Sequence, residues 1–214
     1  LGIMSLTTVT LHTLGHRLSL RQERLLTSMT QTDHKDLLKA LFTILKFTFI
    51  TELAGALSLA ALFWQLGDSW GQALWRGSFT AISAFCNAGF ALQSDSLIPY
   101  QNQGMILYVI SALIIFGGLA PAVSLMIPRW FRRQRLPASA NIALATTLAL
   151  LLSGTLMIAA FEWNGILAGL TPFDKLHNAW FQSVTLRTAG FNSVDLAPIT
   201  GPTFLIMVFF MFIG

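Results

Sequence analysis

The two stretches of this sequence best suited to chemistry carry almost no charge. One reads SAFCNAGF at 83–90 and the other TLRTAGFN at 185–192. Gly89 recurs as Gly190 about a hundred residues later, again between alanine and phenylalanine, which marks an internal repeat of a whole module. Glycine reaches backbone angles that other residues enter only at a cost. A loop built on it can turn successive carbonyl oxygens toward one axis, where they replace the hydration shell of a cation. Each loop follows a helix-length segment, 71–85 in the first case and 173–185 in the second. A short helix aimed inward brings its negative carbonyl end to the same point. Such a site selects its ion by oxygen geometry and needs no charged side chain.

Other chemistries are poorly represented. General acid–base or nucleophilic catalysis needs paired carboxylates, a histidine–carboxylate set, or a nucleophile beside a base. Asp95 and Asp195 fall in loops, and Glu52 stands alone in an apolar run, where an intramembrane carboxylate is either functional or a structural hydrogen-bonding group. His12, His16, His34 and His177 show no ligand spacing and are read as non-ligands. The single cysteine, Cys86, excludes an intrachain disulfide. Two alternatives remain. A secondary transporter with broken helices at the bilayer midplane shares the half-helix logic, but gives no reason for two loops in register. A membrane-embedded enzyme lacks its residues.

A membrane must hold these loops. Of 214 residues, 54% are hydrophobic and 10% charged, with mean hydropathy +0.66; an ordinary soluble domain carries about 25% charged residues. A spanning helix needs about 20 mostly apolar residues. Three runs qualify: 41–66, interrupted by Lys46 and Glu52, then 105–127, then 140–161. Runs 1–14 and 204–214 are incomplete, and the chain is expected to be a piece of a longer protein. Gly117 and Gly118, within the second run, are read as close helix packing. The second short segment has a start signal in Thr171, Pro172 and Asp174; Asp68 or Ser69 is expected to cap the first.

Charge placement decides whether the short segments cross. Arg17, Arg21, Arg24, Lys35 and Lys39 precede the first span; Arg129, Arg132, Arg133 and Arg135 follow the second. The net charge is only +4. If the short segments dip and return, both basic clusters fall on one face, as the positive-inside rule prefers. Asp68, Asp95, Glu162, Asp174 and Asp195 then share the other. Trp64, Trp70, Trp130 and Trp163 fall near the expected interfaces.

With their spans and dips in this order, the two Ala-Gly-Phe loops resemble those of the Trk/Ktr/HKT superfamily of potassium transporters, in flavour nearest the Ktr-type membrane subunits. The resemblance covers essentially the whole chain. It implies an all-α membrane protein of repeated span, re-entrant pore helix, filter loop and span, like a potassium channel. Residues 1–40 would be the end of the first repeat and a cytoplasmic loop, 41–135 the second repeat, and 136–214 the third repeat with a truncated second span. Asn87, Ala88, Gly89 and Phe90 would form one filter strand, and Thr188, Ala189, Gly190 and Phe191 the next. Cys86, which departs from the expected asparagine, Arg187 and Asn192 would support them. Arg187 is expected to brace the loop from behind by pairing with Asp195, Asp174 or loop carbonyls.

The same resemblance implies potassium bound by backbone carbonyls as the transported ion, and no cofactor. It implies a homodimer of membrane subunits, a regulatory ring of cytosolic nucleotide-binding subunits, and a multi-pass place in the cytoplasmic membrane. Neither an enzyme nor a nucleic-acid partner is expected. Potassium against sodium stays open, because the first and fourth repeats are outside this sequence.

Overall fold

Long apolar runs without an interrupting proline build the two longest helices of the computed structural model, which describes residues 37–132 and 134–213. In chain order the helices are α1 (Leu37–Gln65), α2 (Trp70–Phe85), a 3-10 turn at Ile98–Tyr100, α3 (Gly104–Gly118), α4 (Pro121–Ser124), α5 (Ile127–Phe131), α6 (Ala138–Glu162), α7 (Pro172–Thr185) and α8 (Gly201–Ile213). Among the described residues all regular structure is helical. The chain divides into two units, Leu1–Phe47 and Thr48–Gly214. Of the first, only the start of α1 is described. The run 1–14, the basic residues Arg17, Arg21, Arg24 and Lys35, and also Arg133, lie outside the described residues.

Among the described residues two helices are long and apolar enough to cross a bilayer: the Phe42–Gln65 part of α1, 24 residues, and α6, 25 residues. At 1.5 Å per residue each exceeds the ~30 Å hydrocarbon thickness. The run at 105–127 behaves differently from its reading as one uninterrupted span. Helix α3 ends at Gly118, and the chain restarts as the short α4 and α5. Pro121 accounts for the break. It has no N–H to donate and drives the residue before it out of helical angles; Ala120 accordingly sits at φ −56, ψ 134. Helix α8 is apolar but only 13 residues long.

The second unit is organised inside out, and this marks its solvent as lipid. Phe49, Leu53 and Leu57 of α1 and Ile142, Leu152 and Leu156 of α6 are exposed. The polar helix α7 is the buried one, with His177, Asn178, Gln182, Ser183 and Thr185 all enclosed. A water-soluble domain would reverse this arrangement. Polar groups inside a membrane protein turn to other protein or to water paths.

Small residues let the buried helices approach. A Cβ on Gly77 of α2 would lie 2.7 Å from the Ala56 carbonyl oxygen of α1, so only glycine admits that crossing. Gly154 of α6 faces Ser183 of α7, and the Ser183 hydroxyl donates to the Leu151 carbonyl at 2.9 Å. Leu59, Phe63, Ala81, Ile110, Phe181 and Phe191 lie in one core that joins α1, α2, α3 and α7. A second, smaller core gathers Ile158, Leu167, Ala179 and Met207.

Candidate functional site in two touching glycine loops

Each loop is delivered by a short helix with a well-defined start. Ser69 is the N-cap of α2; its N–H and hydroxyl both reach Gln72 Oε1, at 3.4 and 3.0 Å. Thr171 caps α7, accepting from the Asp174 N–H at 3.3 Å and donating to the Asp174 carboxylate at 2.7 Å. Pro172 follows the cap, where its missing N–H costs nothing. Both starts agree with the sequence reading. Asp68 instead pairs with Arg76, whose guanidinium also lies 4.7 Å from the Phe63 ring centroid.

Beyond the helices the two loops repeat one backbone pattern. Asn87 and Gly89 have φ of 51 and 71; Thr188 and Gly190 have φ of 61 and 81. In both, the glycine and the residue two before it are left-handed, with an alanine between. Left-handed angles cost a non-glycine residue about 1–2 kcal/mol, so their recurrence at both Asn87 and Thr188 is a built feature. Each loop is also tied back to its helix. The Ser83 hydroxyl donates to the Phe90 carbonyl at 2.8 Å. The Thr185 hydroxyl donates to the Phe191 carbonyl at 2.8 Å and accepts from the Phe191 N–H at 3.0 Å. The Ala88 and Ala189 N–H groups bond to Ser83 and Thr185 carbonyls. Among the described residues no hydrogen bond reaches the carbonyls of Ala88, Gly89, Ala189 or Gly190.

The loops meet at their glycines. A Cβ on Gly89 would lie 2.6 Å from the Ala189 carbonyl oxygen and 2.8 Å from Gly190 Cα; one on Gly190 would lie 3.2 Å from Gly89 Cα. Just outside this contact the Asn192 N–H donates to Ser96 Oγ at 3.0 Å, and the Leu97 N–H to the Asn192 carbonyl at 2.9 Å. The fold therefore sets Gly89 against Ala189 and Gly190, and Asn192 against Ser96 and Leu97.

The flanking residues divide. Cys86 is the exposed C-cap of α2. Burial pulls the Arg187 guanidinium below its ordinary value. Asp174 is engaged by Thr171, and Asp195 Oδ1 accepts from the Ala197 N–H at 2.9 Å. Gly118 is not a mid-span residue, because α3 ends there, and a Cβ on it would lie 3.3 Å from Asn87 Nδ2. His177 packs its ring against Tyr108 and Phe173. Among the described residues no three His, Cys, Asp or Glu side chains gather as a metal site.

The TrkH family model, described as cation transport protein, matches residues 1–214. The chain belongs to the TrkH family. It is similar to the Ktr system potassium uptake protein B of Vibrio alginolyticus, at 37% identity across 100% of this chain and 48% of that protein. It is 36% identical to the potassium/sodium uptake protein NtpJ of Enterococcus hirae, across 83% of the chain and 39% of the relative. The cation transporter HKT1;3 of Oryza sativa is 25% identical across 80% of the chain and 38% of the relative. The chain thus spans about half the length, or less, of the curated relatives it matches. The TrkH family is one of transport proteins rather than enzymes, in agreement with the sequence reading.

Three residues around the TrkH-family loops escaped sequence reasoning. Ser83 and Thr185 tie each loop to its helix, yet serine and threonine are common everywhere in membrane helices. Glu162 looked like one more acid on an outer face. It is 0% exposed, with Oε1 accepting from the Thr200 N–H and hydroxyl at 3.1 and 2.6 Å and Oε2 from the Ile166 N–H at 3.1 Å. It joins the end of α6 to the start of α8. Its position after an uninterrupted apolar run was the only hint.

Proposed function

We propose that this chain supplies the second and third repeats of a potassium-uptake protein, and that its two glycine loops are two walls of the filter. The observation that carries this reading is the paired backbone pattern. Each loop holds two left-handed residues around an alanine, and among the described residues no donor reaches the Ala88, Gly89, Ala189 or Gly190 carbonyls. Bare carbonyls of that kind suit a partly dehydrated monovalent cation. The inward ends of α2 and α7 add a negative potential at the same place. The repeats would be 41–135 and 136–214, with 1–40 closing a preceding one.

Passage would be passive and selected by Asn87–Phe90 and Thr188–Phe191, with Cys86, Arg187 and Asn192 in support and gating elsewhere. The names of the relatives support potassium as the ion, and the potassium/sodium uptake relative supports a sodium influence. A homodimer, a cytosolic nucleotide-binding ring and a multi-pass place in the cytoplasmic membrane belong to the proposal and rest on the family resemblance.

The test is Gly190→Ser in the full gene product, against Gly71→Ser as control. A Cβ on Gly71 meets nothing within 4 Å. Potassium-limited growth and rubidium and sodium uptake are measured in a strain lacking its own potassium transporters. Gly190→Ser is expected to lose uptake or ion preference, while Gly71→Ser keeps both. Unchanged uptake and preference in the Gly190 variant, at matched expression, would remove the filter reading.

A further inference from the structure

A cavity of about 160 Å³ lies against the 188–192 loop. Thr188, Gly190, Phe191 and Asn192 form its loop wall, and Met207 and Met211 of α8 face them. Gln182 of α7 also lines it. That side chain is 0% exposed, and among the described residues neither its amide nitrogen nor its amide oxygen has a hydrogen-bond partner. A primary amide offers two donors and two acceptor positions, and leaving all of them dry on a buried side chain is costly. The cavity is roomy enough for several waters at about 30 Å³ each. A water there can bond the amide on one side and loop backbone groups on the other.

The first module lacks this device. The residue as far ahead of Gly89 as Gln182 is ahead of Gly190 is Ala81, which is fully buried in the apolar core. At this position, therefore, the two loops differ.

We infer that the cavity is a hydrated site, and that Gln182 is a positioning residue that holds the Thr188–Phe191 carbonyls in register through water. The inference rests on the filter reading. It assigns Gln182 a role in ion preference, which a merely structural amide would not have. Removing a merely structural, unbonded amide in favour of an apolar group of the same size would be neutral or stabilising.

Three measurements on the full gene product test it. Gln182→Met preserves length and removes the hydrogen-bonding groups. At matched membrane levels the rubidium-over-sodium uptake ratio is expected to fall about tenfold, the equivalent of one lost hydrogen bond. Gln182→Asn, which keeps the amide's donors and acceptors on a side chain one methylene shorter and adds no charge, should retain the larger part of the preference. Hydroxyl-radical footprinting by irradiation of the purified protein, read by mass spectrometry, reports water beside buried side chains. Met207, 5% exposed, should be oxidised in the wild type and several-fold less in Gln182→Met.

Wild-type ion preference in Gln182→Met overturns the positioning role, and an unmodified Met207 in the wild type overturns the hydrated site. If Gln182→Met does not reach the membrane, Met207 labelling of the wild type and the Gln182→Asn ratio decide. Gly190→Ser, run in parallel, separates the two levels. If it changes ion preference and Gln182→Met does not, only the inference falls. If Gly190→Ser changes nothing, the filter reading falls, and the role of Gln182 in preference falls with it.

Discussion

Phe90 and Phe191 stand at the same place after their glycines, yet Phe90 is 68% exposed and Phe191 is 0% exposed. The contrast continues around them. Ala88 is exposed and Ala189 buried; Ala81 is apolar where Gln182 is polar. Ser83 makes one hydrogen bond to its loop, and Thr185 makes two. The backbone angles nevertheless agree, at 51 and 71 against 61 and 81. Loop shape is therefore set by the local Ala-Gly-Phe sequence and its hydroxyl tie. The surrounding packing differs and can be varied separately. The 188–191 loop lies against this chain's own α7 and α8, whereas the 87–90 loop presents its phenylalanine outward.

The sharpest way to break the comparison is to add a methyl group at each glycine. Both positions are left-handed, so both substitutions carry about 1–2 kcal/mol of backbone strain. Only Gly89 adds a collision with backbone, at 2.6 Å from the Ala189 carbonyl oxygen and 2.8 Å from Gly190 Cα. Neither atom can move without moving the second loop. Gly89→Ala is expected to abolish rubidium uptake, and Gly190→Ala to reduce it several-fold, at equal membrane levels. The opposite order would mean that the loops do not touch in this way.

A smaller effect separates the phenylalanines. Truncating a fully buried phenylalanine costs about 3–5 kcal/mol, so Phe191→Ala should lower the thermal midpoint of the detergent-purified protein markedly. Phe90→Ala removes a side chain that is largely outside this chain's core and should cost about 1 kcal/mol or less. Equal losses would show that Phe90 is as enclosed as Phe191 in the full gene product.

Much of this was readable beforehand, and for identifiable reasons. Spans α1 and α6 are long apolar runs, and length is a strong signal in lipid. The cap at Thr171 is a local pattern, and local chemistry decides it. The loops announced themselves by repetition. The missed features depend on partners distant in sequence. Glu162 needs Thr200, and Gly118 meets Asn87. Nothing in a run of letters says that Gln182 will be enclosed without a partner. The 105–127 run was misread because hydropathy outweighed Pro121, although a proline with an extended residue before it is a known place for a helix to stop.

The finest distinction lies at Ser96, the hydroxyl that joins the outer ends of the two loops. Ser96 is left-handed, at φ 55, and its Oγ accepts from the Asn192 N–H at 3.0 Å. Two small terms of opposite sign meet there. The hydrogen bond contributes about 0.5–1.5 kcal/mol, while the left-handed angle costs serine an amount of the same order that glycine avoids. Ser96→Ala loses the bond and keeps the strain, so it should destabilise by about 1 kcal/mol, a shift of roughly 2–4 °C in the thermal midpoint. Ser96→Gly loses the bond and relieves the strain, so its midpoint should stay near that of the wild type. The Leu97 N–H bond to the Asn192 carbonyl remains in both variants, which keeps the loops joined while the two terms are compared. If alanine proves as stable as glycine at this position, Ser96 is not held left-handed, and the junction between the loops is looser than this geometry requires.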